Sequence, residues 1–525
     1  MLTLHFGKCH GLGNNFILFD ARGHTDVSES TLKLLKAHKN RDSLTESFYS
    51  HNGLSPRPDG NISLRDRGRV HPLPAASVAQ LCREGHGIGA DGIMYALPKD
   101  TSALDNDTVS PFDENSISSP KISCSDVYTT AEGTHAPLAE LTMVMNNRDG
   151  SIAEMCGNGV RALAYYLFTQ DIEHYVSYAF NGTTFHPSSS GVCYLMHTLA
   201  GPKYCYVPPI TSDPSIRSVE LYPREHVVVV DMGVPTFHPS SIPTILHSNS
   251  NIVMSASTSL ALIQVPLPSS EEVTPATPPA RISLSSAFAS LPAAVPRQWK
   301  ATIVNTGVPH AVLFMENTIT DLETSRHSGL SSDELWALVH EHVHVLGPFF
   351  CTHPCFPQGC NINFARVRHS PKHSSLVPAH SRQTDSTPLS SHGDPVIERQ
   401  NIENESDTPP KQTTELDVLV WERGCGVTQA CGTGACAVAV AARLEGRISR
   451  EECQKVVVNL PGGSMTIEWR WNGSVSVSDD ELRGSERCES KYDGVDDGAS
   501  REYLSSENIK MTGPATYVFT GQVRL

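Results

Sequence analysis

Two cysteines in matching surroundings carry the strongest chemical signal in this chain. Cys156 lies in Glu154-Met155-Cys156-Gly157-Asn158-Gly159, ahead of the apolar run 160–168. Cys431 lies in Gln429-Ala430-Cys431-Gly432-Thr433-Gly434, ahead of the small-residue run 435–444. Each reads as a turn opening into a helix. A cysteine at a helix start sees the positive end of the helix dipole, which favours thiolate over thiol. Thiol pKa values below that of free cysteine, about 8.5, are therefore expected at both positions. Two such groups on opposite faces of one carbon could take a proton from one side and return one to the other. That chemistry inverts a stereocentre and calls for no cofactor. The glycines let backbone N–H groups approach an anion, as helix N-termini do. Gly157, Asn158, Gly432 and Thr433 are thus expected to grip a substrate carboxylate and stabilise the enediolate that follows proton loss.

The elements that position these residues read as α+β. Strands are expected at 16–20, 141–145, 227–231, 301–304, 311–315, 418–422, 456–460, 465–469 and 517–519, with helices at 76–84, 160–170, 332–346 and 435–444. Asp333-Glu334 suits the start of the third helix, and Gly347-Pro348 reads as its stop. Ser/Pro/Asp-rich stretches at about 37–75, 100–135, 185–222, 238–297, 368–413 and 477–508 carry few apolar anchors. Such composition buries too little surface to offset ordering entropy, so they read as loop insertions, mostly disordered. Within them, 252–267 is apolar enough to pack locally. What remains, about half the chain, suits two domains of ordinary size. One spans 1–222 plus a C-terminal strand 511–525, and the other spans 223–510. Each holds one Cys-Gly-x-Gly helix, which points to an internal duplication and to a site in the cleft between the two.

Bulk properties narrow the class. The 525 residues carry a net charge of −16, with a pI of 5.8, which argues against nucleic acid or an anionic membrane as partner. No apolar run reaches the roughly 18 residues of a spanning helix. The N-terminus lacks the charged start and apolar stretch of a signal peptide, so a cytoplasmic protein is expected. The 14 cysteines are irregularly spaced and read as reduced thiols.

At this point the motifs form a recognisable set. In chain order they are Lys8-Cys9-His10-Gly11-Leu12-Gly13-Asn14-Asn15-Phe16, Gly87-Ile88-Gly89-Ala90-Asp91-Gly92 and Asn147-Arg148-Asp149-Gly150-Ser151 leading to Cys156. The second half has Gly307-Val308-Pro309-His310, Phe356-Pro357-Gln358-Gly359-Cys360-Asn361 and Glu422-Arg423-Gly424 leading to Cys431. Leu460-Pro461-Gly462-Gly463 and Met511-Thr512-Gly513-Pro514-Ala515 complete the order. The chain thereby resembles diaminopimelate epimerase, a PLP-independent amino-acid epimerase of lysine biosynthesis. The resemblance implies two pseudo-symmetric α/β domains with an interdomain active-site cleft. It implies that Cys156 and Cys431 are the acid–base pair, donor and acceptor in one direction, and that His310 and Glu422 support catalysis. It assigns Asn14, Asn147, Asn361, Glu422 and Arg423 to substrate binding. No cofactor and no metal are implied. The expected partner is a small amino-acid substrate, and a homodimer is left open.

Some positions depart from the family pattern. Val308 stands where an asparagine is common, Arg148 where a small residue is usual, Gly92 where some members have glutamine and Cys360 where threonine is common. The rival readings are a proline- or hydroxyproline-type racemase of the same fold and a non-catalytic interaction protein on this scaffold. His340-Glu341-His342-Val343-His344 matches H-E-x-x-H but lacks a third-ligand motif, and Cys351, Cys355 and Cys360 lack paired C-x-x-C spacing, so zinc is not expected.

Overall fold

The computed structural model describes residues 3–25, 28–32, 73–99, 121–124, 126–130, 133–210, 223–236, 242, 244, 265–267, 291–292, 295–296, 299–320, 330–368, 414–448, 455–470 and 508–524. Fourteen strands and four helices position the site. The strands are β1 (Thr3–Gly11), β2 (Asn14–Asp20), β3 (Gly92–Pro98), β4 (His135–Asn147), β5 (Val192–Thr198), β6 (Gly201–Val207) and β7 (Glu225–Gly233). They continue with β8 (Lys300–Asn305), β9 (Pro309–Phe314), β10 (Asn361–Arg368), β11 (Thr414–Glu422), β12 (Lys455–Leu460), β13 (Gly463–Glu468) and β14 (Ile509–Arg524). The helices are α1 (Ala75–Cys82), α2 (Gly157–Glu173), α3 (Ser332–Cys351) and α4 (Gly432–Leu444).

Pairing closes the first seven strands into a ring, in the order β1-β2-β3-β4-β5-β6-β7, with β14 joining β7 back to β1. The second ring runs β8-β9-β10-β11-β12-β13-β14. It closes through β7, whose continuation bridges Thr236 to Asn305 at the end of β8. Both rings repeat one pattern of neighbours: antiparallel, parallel, antiparallel, parallel, antiparallel. The chain is a topological duplication, and closure leaves few sheet edges exposed.

Each barrel is filled by a helix. Residues 157–171 of α2 are all buried, and in α4 every residue but Thr433 is buried. A helix apolar on all sides belongs inside a core. Strands such as β2, β3 and β9 are buried on both faces and so read as apolar runs, whereas β7, β12, β13 and β14 alternate. In β2, Phe16 and Leu18 join the inner core while Ile17 and Phe19 pack outward with Val78 and Leu81 of α1. Around the second barrel α3 plays the part of α1, packing Leu335, Val339 and Val343 against Trp299 and Phe364.

Four expectations need correction. The stretch 185–222 was expected to be an unpacked insertion, yet its described part contains β5 and β6. Val192, Tyr194 and Met196 face α2, and Cys193 and Leu195 form a separate outer cluster. Their alternation was masked by Cys193, Tyr194, His197 and Thr198, all buried except the half-buried His197. The insertion expected at 100–135 likewise ends in two short strands, Lys121–Ser123 and Val127–Thr129. A boundary at 223 does not match the rings, because β7 pairs with β6 of the first barrel as well as with β14. Finally, α3 starts on a capping box between Ser331 and Glu334 but runs through Gly347-Pro348 to Cys351. Gly347 is needed there because any Cβ would fall 2.4 Å from the Trp421 ring. The remaining insertions lie mostly outside the described residues, although Leu267, from the apolar 252–267 stretch, packs beside Trp299.

Candidate active site

The two barrels meet where their inner helices begin. Cys156 and Cys431 occupy the N-cap positions of α2 and α4, both in extended conformation. A short strand precedes each turn: Ile152–Ala153 on β4 and Gly426–Val427 on β11. The following glycines touch, since a Cβ on Gly157 would lie 3.3 Å from the Gly432 Cα. Only residues without side chains let two helix N-termini approach so closely. Asn158 Nδ2 ties the junction by donating to the Ala430 carbonyl at 2.7 Å. The β1–β2 hairpin adds a second contact. Its two-residue turn has positive φ at Leu12 and Gly13 (54° and 84°), the conformation tight hairpins require. Gly462 of the second barrel packs under the Leu12 carbonyl, leaving no room for a Cβ.

A cavity of about 980 Å³ opens at this junction and is lined by both cysteines. Asn14, Asn147, Gly157, Asn158, Asn361, Glu422, Arg423, Gly432 and Thr433 line it too. His310 does not. It is fully buried behind Thr433, with Nε2 3.0 Å from Thr433 Oγ1 and Nδ1 3.0 Å from Asn363 Nδ2. Asn363 Nδ2 also donates to the Ala311 carbonyl. That carbonyl can only accept, so the amide orientation is set and His310 Nδ1 must be the acceptor. The Nε2–H then donates to Thr433, whose hydroxyl proton is left to point at Cys431 Sγ, 3.4 Å away. Gly434 N–H donates to the same sulfur at 3.3 Å. Burial drives the His310 pKa down to about 3, so the imidazole is neutral and acts by orientation.

The electrostatics differ from expectation. Burial pushes the Cys156 thiol up to about 11, outweighing the N–H groups of Gly159 and Asn158 that favour the thiolate. Cys431 is raised well above the ordinary thiol range, by burial first and by the Glu422 carboxylate second. Desolvation at the barrel junction thus exceeds the helix-end field. Glu422 is itself raised by burial, while accepting from Thr428 Oγ1 at 2.6 Å and lying within hydrogen-bond reach of Cys431.

The polar groups around the thiols are braced. Asn14 Oδ1 faces Cys156 Sγ at 3.6 Å while Asn14 Nδ2 donates to Asp91. Asp91 also receives Arg148 at 2.6 Å. Asn361 Oδ1 accepts the Arg423 backbone N–H at 2.8 Å, and the Arg423 guanidinium rests on the Gln358 carbonyl. The Asn158 side chain is spent on Ala430, so only its backbone N–H can face a ligand. Sequence reasoning missed Asn363, Asp91 and Arg161 as parts of this assembly; a lone arginine inside the apolar run 160–168 was the available signal. A Cβ on Gly92 would fall 2.6 Å from the Asn146 carbonyl oxygen, too close to fit, and Gly92 does not line the cavity. On α3, His340 packs edge-on against Trp336 and His344 against Trp421. No helix among the described residues is long and apolar enough to cross a membrane.

Comparison with known proteins agrees with the motif order. A family model described as diaminopimelate epimerase matches residues 378–483, which include Glu422, Arg423 and Cys431. The chain is 28% identical over 479 residues to a diaminopimelate epimerase of Synechococcus sp. (strain JA-2-3B'a(2-13)), covering 90% of this chain and 97% of that one. It is 26% identical over 525 residues to the diaminopimelate epimerase of Synechocystis sp. (strain ATCC 27184 / PCC 6803 / Kazusa), covering 100% of each. Among solved structures, a hydroxyproline epimerase from Agrobacterium vitis aligns over 99% of this chain and 92% of its own, at 10% identity and a TM-score of 0.43. The relatives span both halves and not merely one motif, so the chain is similar to diaminopimelate epimerases along nearly its whole length, and it is a PLP-independent isomerase.

Proposed function

We propose that this protein interconverts LL- and meso-2,6-diaminopimelate by two-base proton transfer at the α-carbon. One observation carries the reading: each barrel ends its inner helix on a cysteine, and the two helix ends meet at one cavity. In one direction Cys431 takes the α-proton and Cys156 returns a proton to the opposite face; in reverse the roles exchange. Backbone N–H groups of Gly157, Asn158, Gly432 and Thr433 hold the α-carboxylate and the enediolate it becomes. Asn14, Asn147, Asn361, Glu422 and Arg423 bind the rest of the substrate. Arg423 suits the distal carboxylate, which it can fork bidentately. An amino acid with one charged end would leave such groups unpaired, and so binds poorly.

Raised thiol pKa values suit this chemistry. A thiolate that is poorly solvated is a stronger base toward carbon, and Thr433 and Gly434 lessen the cost of forming it at Cys431. His310 serves by holding Thr433, and the two barrels act as the domains whose closure excludes water. Work in lysine biosynthesis, in the cytoplasm, follows from the same reading. The test is incubation of purified protein with LL-diaminopimelate in heavy water, with stereoisomers resolved by chiral chromatography. Appearance of meso product carrying α-deuterium is expected. If neither inversion nor exchange occurs with either isomer, the assignment fails.

A further inference from the structure

Arg161 is the one arginine inside α2, and its side chain is fully buried. Its guanidinium donates to Asn158 Oδ1 at 2.9 Å, to Gly157 O at 3.3 Å and to Pro514 O at 3.3 Å, and it meets Met511 Sδ at 3.5 Å. No partner is a carboxylate among the described residues. The buried Arg22 shows the ordinary arrangement instead, held by Asp20 and Asp171 at 2.8 Å each. A buried cation without a counter-ion is costly unless an anion forms beside it. The titratable groups facing Arg161 are thiols: Cys156 at the start of its own helix, Cys436 on α4 and Cys205 on β6. Of these only Cys156 lines the cavity. Cys156 is faced in turn by Glu422 from the end of β11 and by Cys431 across the junction.

We propose that Arg161 is the resident counter-charge of the acid–base pair, a positioning residue holding one negative charge at the meeting point of the two helix ends. The inference rests on the two-base reading. In the reactive ionisation state of that cycle, a minority form in the substrate-free protein, Cys431 is thiolate and gains the α-proton; the electron pair stays on the substrate carbon. Cys156 then gives its proton to that carbon and is left as thiolate. One negative charge passes from sulfur to carbon to sulfur, and the fixed cation beneath Gly157 opposes its desolvation throughout. Arg161 also turns the Asn158 amide so that its Nδ2 reaches Ala430, which links the cation to the residue preceding Cys431. Burial draws the guanidinium down to about 10, yet it remains charged at neutral pH.

Alkylation of the substrate-free protein tests this. Below the midpoint, the labelling rate of Cys156 by iodoacetamide tracks its thiolate fraction. At pH 9, Arg161→Met should slow that labelling about tenfold or more, the loss expected from removing a charge within a helical turn at intermediate dielectric. Arg161→Lys keeps the charge while losing the fork of hydrogen bonds, and should stay within about threefold of the parent. A folded Met variant labelled at the parental rate overturns the proposal and leaves Arg161 a packing residue. Should the Met variant not fold, the Lys variant decides alone: near-parental labelling supports the charge role, and tenfold slowing overturns it. The readout uses no substrate, so failure of diaminopimelate turnover would not be mistaken for failure here.

Discussion

The two barrels share one pairing order but surround their cysteines differently. The first is filled by a bulky helix, with Tyr165, Tyr166 and Phe168 buried, and the second by a helix of Ala, Val and Cys. At the junction Cys156 is half-buried and its sulfur meets Asn14. Cys431 is buried and held by Thr433, Gly434 and, at one remove, His310 and Asn363. Duplication preserved the backbone frame that brings two helix ends together. Divergence of the side chains made the two thiols chemically unequal. On the proposed two-base reading that inequality suits the task, because the two faces of an amino acid present different groups to each sulfur.

The largest effect should come from breaking the pair. Cys156→Ala and Cys431→Ala should each lower interconversion by about 10²–10⁴-fold, the range for loss of a positioned acid or base. The comparison becomes sharper in heavy water. Each variant retains one sulfur, so each should still exchange the α-hydrogen of one isomer without inverting it, and the two variants should prefer opposite isomers. Mass spectrometry of recovered LL- and meso-substrate reads this directly. Equal exchange of both isomers by either variant would mean that the sulfurs do not serve separate faces.

Ionisation separates the thiols at the next level. In the substrate-free protein Cys156 is raised to about 11 and Cys431 is also raised, each mainly by burial. At pH 8 Cys156 should be labelled on the order of a hundredfold more slowly than free cysteine, whose pKa is about 8.5. Cys431, more enclosed, should lag behind it. The linkage has a definite sign. A thiol whose pKa rises on folding is protonated in the native state while the unfolded chain ionises. Its contribution is therefore intact below about pH 8.5 and is lost as pH climbs toward 11. Urea denaturation at pH 8 and pH 10 should show this decline, and Cys156→Ala should reduce it. Stability that rises over that interval would contradict the burial argument.

How much of this could be read from residue order is itself uneven between regions. The cysteine turns, α2, α4 and the strands that are plain apolar runs were legible, because their signals are local. β5 and β6 were not, because Tyr194, Cys193 and Thr198 are buried by the barrel and look polar in sequence. Ring closure through β7 and β14 depends on pairing between distant segments, so the boundary at 223 fell on the wrong side of β7. The stop expected at Gly347-Pro348 failed because Gly347 answers to Trp421, not to its own helix. The lowered thiol pKa failed for the same kind of reason: the helix-end field is local, whereas desolvation is set by both barrels together.

The cavity rim offers the finest contrast. Each half contributes one arginine to it, Arg423 at the end of β11 and Arg148 after β4. Arg423 rests on backbone, with Gln358 O as its acceptor, which leaves its charge for a ligand. Arg148 instead spends its charge on Asp91 at 2.6 Å and its Nε on the Ala90 carbonyl. More than half of its side chain is exposed, so the pair is worth little by itself, about 0–1 kcal/mol. Arg148→Ala should therefore change kcat/KM by no more than about fivefold, through KM with kcat nearly constant. The reason to measure so small an effect is that Asp91 also holds Asn14, which faces Cys156. Freed of Arg148, Asp91 either keeps Asn14 in place or pulls it from the sulfur. A change confined to KM means the first, and Arg148 acts only on what enters the cavity. A fall in kcat with KM unchanged means the second, and this arginine, which departs from the family pattern, reaches the proposed acid–base pair through three hydrogen bonds.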